Sequence, residues 1–222
     1  MPSLALGQVR ALYPEVDQLL LLGNDLRQVR QRVCARAAVV LTHAHLEAYV
    51  ATVVPEFLDY LNRNARPRTR WHDEIHTSAM VDALAADAGR VVNAEGEQQA
   101  RTRTRQLVIN VRAVDRVSRS VPLRPAAILG DLKYPKLDNI LLVFSRLVLP
   151  GIVQDLSQAD GVSYGFALTT LNEDRGAIAH GDAIAPSIAD VRQTIRSVRR
   201  FMASLDRRLA VHAQTHVGSL PW

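Results

Sequence analysis

The stretch LNEDRGAIAHGD, residues 171–182, places Arg175 and His180 five positions apart, with a glycine after each. These are the two side chain types that cleave a phosphodiester bond without a metal. Arginine carries a permanent, planar charge suited to phosphate oxygens, and histidine titrates near neutral pH and can move a proton. A step of five on a helix turns about 140°, so spacing alone does not put the pair on one face. They converge if the helix frays or ends near Gly181. The competing expectation is structural: Arg175 pairs with Glu173 or Asp174, and His180 gains from the dipole at a helix C-terminus.

Other polar residues invite weaker readings. Glu47 follows His43 by four residues and shares its helical face. It is either a carboxylate that orients His180 or Arg175, or half of a buried polar pair. Tyr49 reads as core or interface. His72 and His76 have metal-ligand spacing, but Asp73 stands where a zinc protease helix needs glutamate. His212 and His216 repeat that spacing, again with no carboxylate placed to complete a site. Solvated helix faces are the expectation for both pairs, and no metal or cofactor is expected. Arg101, Arg103 and Arg105 alternate, and Arg112, Arg116 and Arg119 follow at helical intervals. They read as an RNA-binding strip along the phosphate backbone, or as a solvated face. No aromatic interleaves them, which argues against base stacking.

The composition frames these candidates. The 222 residues fit one domain, 48% of them are hydrophobic, and the formal net charge is +5. Lys133 and Lys136 are the only lysines, so arginine carries the basic balance. That balance favours polyanions such as RNA, although a GC-rich coding bias produces the same excess. Cys34 is the single cysteine, which excludes an internal disulfide and suits a reducing compartment. The N-terminus is polar too early for a signal peptide. No uninterrupted apolar run reaches the roughly 20 residues that span a bilayer. The sequence therefore reads as a cytoplasmic protein with no membrane partner.

The elements that must hold the candidates read as helices. Residues 26–64 form one, with Val29, Val33, Ala37, Val40, Leu41, Ala44, Ala48 and Ala51 as its apolar stripe and Pro55 as a bend or break. Residues 64–71 read as a loop and 73–89 as a second helix closed by Gly89. Residues 90–130 read as helices with a long loop, an insertion or arm. Residues 136–149 form a helix ended by Pro150, and 163–181 another that closes on Gly181. The last helix starts at Ser187, with Asp190 completing a capping box. Val191, Ile195, Val198, Met202, Leu205 and Leu209 form its stripe. The sum is an all-α bundle.

One family combines these features. The segment from Arg175 to His180 resembles the R-x4–6-H motif of HEPN domains, small helical bundles that include many metal-independent ribonucleases. LTHAHLEAYV, residues 41–50, resembles the His-Leu-Glu-Gly-Tyr segment on an early helix of the RiboL-PSP, MAE-type and related bacterial HEPN groups. Asp138–Ile140 matches a DNI segment ahead of the motif helix. This order covers nearly the full chain. Position 176 departs from the pattern, with Gly176 where the family usually has a polar residue. The departure either weakens catalysis or shifts that role to Asn172, Asp174 or Asp182.

The resemblance implies a single HEPN-like domain over residues 1–222, with a long early helix and an inserted middle segment. It implies a metal-independent endoribonuclease in which His180 is the acid or base and Arg175 holds the phosphoryl oxygens. The implied partners are RNA, a second copy of the chain sharing the cleft, and an antitoxin protein, in a toxin-antitoxin or phage-defence setting. Two rivals stand beside it. One is a non-catalytic HEPN module that binds RNA, nucleotide or a partner protein. The other is a metal hydrolase built from His43, His72 and His76.

Overall fold

A computed structural model describes residues 2–25, 28–64, 74–75, 77, 88–89, 91–117, 123–129, 136–181, 186–217 and 221–222. Among them every regular element is an α-helix, as the periodicity predicts. In chain order these are α1 (Leu4–Ala11), α2 (Tyr13–Asp25), α3 (Gln28–Asn64), α4 (Glu97–Val117), α5 (Pro125–Leu129) and α6 (Leu137–Arg146). Then follow α7 (Ile152–Asp160), α8 (Tyr164–His180) and α9 (Ile188–Val217).

The last helix forms where the sequence places it. The Ser187 hydroxyl accepts from the Asp190 amide at 3.1 Å, the first bond of a capping box, and donates to the Asp190 carboxylate at 2.6 Å, so that carboxylate meets the cap's hydroxyl where a full box has it meet the cap's amide. All six residues of the predicted α9 stripe are buried. α3 is the other pillar, and α1, α2, α8 and α9 all pack against it.

The predicted stripe of α3 is corrected. Val29, Val33 and Val40 are 74%, 62% and 42% exposed, and Ala44, Ala48 and Ala51 are exposed too. The buried face instead carries Ala38, Leu46, Tyr49, Val50, Val53, Phe57, Leu58 and Leu61. α3 is apolar nearly all round between residues 33 and 54, so periodicity alone offers several faces. Size decides among them, because Leu, Tyr and Phe remove more apolar area from water than Ala or Val. Pro55 does not end the helix. The carbonyl that its missing N–H leaves without a donor belongs to Ala51, on an exposed face open to water.

Two carboxylates fasten the start of the chain to these pillars. Asp206 of α9, itself buried, accepts from the Ser3 amide at 3.1 Å and from the Ser3 hydroxyl. Glu56 of α3 accepts from the Leu4 and Ala5 amides at 2.9 and 3.1 Å. Together they satisfy N–H groups that a helix N-terminus leaves open.

α6 stops at Arg146, four residues before Pro150. The Leu149 amide donates to the Phe144 carbonyl at 2.8 Å and the Val148 amide to Ser145 at 2.9 Å, while Val148 sits at φ +61°. This is a Schellman end built on valine where glycine is usual. The arm expected over residues 90–130 contains α4, which makes little contact with the other described helices. Most of the helix expected at 73–89 lies outside the described residues, as do residues 65–73.

Candidate functional site

α8 begins in the core and ends on the surface. Tyr164, Ala167, Leu168 and Leu171 are buried, and from Asn172 onward no residue of the helix is. Gly181 closes it at φ +78°, a conformation open to glycine at no steric cost. The Gly181 amide donates to the Ala177 and Ile178 carbonyls, and the Arg36 guanidinium reaches from α3 to the Ile178 carbonyl at 3.3 Å. The last turn of α8 is thus tied to α3.

Arg175 is exposed and, among the described residues, has no carboxylate within ion-pair distance. The predicted pairing with Glu173 or Asp174 does not form. Asp174 is half-buried, and its carboxyl is held above its ordinary range by burial and then by Glu173 and Asp190. Asn172 is half-buried and lies one turn before Arg175. His180 is exposed on the last helical residue. The helix runs unbroken between them, so Arg175 and His180 stay about 140° apart around the axis and about 7.5 Å along it. One chain does not gather the pair on a single face. Asp182 lies outside the described residues.

The residue of α3 that meets the motif is His43, and Glu47 is not that residue. Glu47 is exposed and makes no bond to His43. His43 is 7% exposed, and burial followed by the nearby Arg175 charge pushes its imidazole down to about 4. Near pH 7 the site therefore holds a neutral buried imidazole beside an unneutralised guanidinium. Such a site attracts anions. Arg36, which holds the end of α8, was absent from the sequence expectations. The available signal was its seven-residue spacing from His43, two turns along the same face.

The arginines of the middle segment are corrected in one respect. α4 is helical, so Arg103 points about 200° away from Arg101, and alternation does not make one strip. Arg101 pairs with Glu97 at 2.5 Å on an open surface, Arg103 donates to the Asn93 carbonyl at 3.5 Å, and Arg105 is exposed. Residues 101, 105, 112 and 116 share a face by register. Tyr49 is fully buried, in line with a core role. Among the described residues no three His, Cys, Asp or Glu side chains gather as metal ligands, and His72 and His76 lie outside those residues. By length and mean hydropathy one helix, α3, does meet the criterion for a membrane span, although over half of its most apolar window is buried in the bundle.

Compared with protein-family models, curated proteins and solved structures, the chain matches none.

Proposed function

We propose that this chain is a metal-independent endoribonuclease of the HEPN type, acting as a homodimer. The observation that carries the reading is Arg175: an exposed guanidinium with no carboxylate partner among the described residues, five residues before an exposed histidine, at the surface end of a helix. In such a reaction the 2′-oxygen gives up its proton and bonds to the adjacent phosphorus, the P–O5′ bond breaks, and the leaving 5′-oxygen takes up a proton. Arg175 stabilises the charge that builds on the phosphoryl oxygens, and His180 transfers a proton. His43, kept neutral, adds no second positive charge to repel Arg175.

The angle between Arg175 and His180 is the reason for the dimer. A twofold axis near the end of α8 lets the arginine of one copy and the histidine of the other face one cleft. Val33 and Val40 flank Arg36 on the exposed side of α3 and offer an apolar strip beside that end. The expected setting is a toxin-antitoxin or phage-defence pair, with an antitoxin protein as partner and the cytoplasm as compartment. Arg101 and Arg105 on α4 supply further contacts to RNA phosphates.

The divergence of the two side chains within one chain, with Gly176 between them, favours a second reading: a HEPN module that binds RNA, nucleotide or a partner without cutting. Cleavage by the parent chain, compared with His180→Ala, separates the two. The ribonuclease reading expects a folded variant that no longer cleaves RNA, and undiminished cleavage defeats it.

A further inference from the structure

A cavity of about 430 Å³ lies where the end of α2, the second turn of α3 and the start of α9 meet. That size is within the roughly 300–1,000 Å³ of small-ligand sites. Arg32 of α3 and Arg192 of α9 line it, with Asn24, Gln31, Ser187 and Ala189. No acidic residue lines it among the described residues.

Neither charge is compensated by an ion pair among the described residues. Arg32 has no ion pair among the described residues, and Arg192 donates only to neutral oxygens, Leu20 O at 3.5 Å and Asn24 Oδ1 at 3.2 Å. Arg199, two turns further along α9, shows how this fold treats a structural arginine. It pairs with Asp17 at 2.7 Å and lies 4.2 Å from the Tyr13 ring centre. Two like charges facing one cavity repel each other unless an anion enters, and their field concentrates anions there. The positive end of α9 is offset by the Asp190 carboxylate on the Ser187 hydroxyl, so the two guanidinium groups carry the field.

The donor set selects the anion. Two guanidinium forks approach from different helices, and side-chain amides stand beside them. That arrangement suits a tetrahedral group with several oxygens better than a planar carboxylate with two. Arg32 also lies one turn from Arg36, which holds the last turn of α8. The cavity therefore neighbours the helix end that carries Arg175 and His180.

We propose that this cavity is a phosphate-binding subsite, and that it holds a phosphodiester of the RNA strand whose scissile bond lies at Arg175 and His180. The phosphate chemistry rests on the cavity alone, while the choice of an RNA strand rests on the ribonuclease reading.

The test uses the full chain carrying His180→Ala, so that RNA stays intact, titrated with a short single-stranded RNA of mixed sequence and, separately, with ATP. Arg32→Glu and Arg192→Gln are each expected to weaken RNA binding about tenfold. Each also lowers the slope of log affinity against log salt by about 0.7, the single-strand value for one phosphate contact. Arg32 has no bonded partner among the described residues, so its variant is expected to melt like the parent, which keeps the test valid if Arg192→Gln loosens α2. Loss of ATP binding with RNA binding unchanged overturns the strand assignment and leaves a free-nucleotide site. No change with either probe in folded Arg32→Glu overturns the subsite. Undiminished cleavage by His180→Ala defeats the ribonuclease reading, and the ATP titration then tests the phosphate subsite by itself.

Discussion

The imidazole of His43 on α3 lies in the field of the Arg175 guanidinium on α8, and burial together with that charge holds it neutral down to about pH 4. The ordinary histidine value is about 6.5. As pH falls between those two values, the unfolded chain takes up a proton at position 43 and the folded chain does not, so folding stability drops. Between pH 7 and pH 5 the contribution of His43 to that loss is on the order of 2 kcal/mol. Burial also lowers His45, in part against the opposing pull of Glu15, so it acts in the same direction. Urea unfolding at pH 7 and pH 5 measures the loss, and His43→Gln is expected to remove much of it. An unchanged pH dependence in that variant refutes the relationship.

Gly176 offers a second test. It sits inside α8, and a Cβ added there meets nothing within 4 Å. Gly176→Ala is expected to stabilise the chain by about 0.5–1 kcal/mol, the usual helix-interior difference, with cleavage unchanged. Gly176→Asn, which puts a polar group next to Arg175, is expected to raise cleavage above the alanine variant. Thermal melts and a gel assay read both. A destabilised Gly176→Ala shows that the glycine meets a packing need.

Metal independence is checked by chelation. Cleavage is expected to persist in EDTA and to leave 2′,3′-cyclic phosphate or 3′-phosphate ends, because Arg175 provides the positive charge that a metal otherwise brings. Activity lost in chelator and restored by Mg²⁺ or Mn²⁺ rules out the proposed roles.

The dimer is tested by sizing and by a crosslink. Ala179 is exposed one residue before His180. In a Cys34→Ser background, Ala179→Cys is expected to form a disulfide between copies, and Val211→Cys on the exposed side of α9 is expected to form none. An active monomer in light scattering, or crosslinking only from position 211, contradicts the arrangement.

The sequence was informative wherever a short local rule decides the structure. Ser187 with Asp190, and Gly181 at the end of α8, are capping chemistry confined to one turn. The stripe of α9 alternates large apolar residues with charged ones, so only one face can be buried. α3 lacks that contrast, and its core face became legible only through the helices that pack on it. The end of α6 escaped because Val148 occupies a position where glycine is the recognised signal. At the candidate site, the residue types on α8 were visible in sequence. Their divergence was not, since it depended on whether the helix stays intact to His180. Arg36 and Arg32 were hidden among many arginines, because what distinguishes them is which helix end or cavity they face.

The bond between Ser3 and Asp206 joins residues 203 positions apart in the chain. During synthesis α3, with Glu56 and the face that packs on α1, exists long before Asp206, so α1 gains its α3 contacts early and its Ser3 anchor last. Loop closure on that scale makes the final docking step slow compared with forming any single helix. Nascent chains stalled before residue 206 are therefore expected to leave the residues around Ser3 more open to protease than chains released beyond it, with α2 held by α3 in both. The segment around Ser3 thereby reports that α9 has been made as far as its anchor.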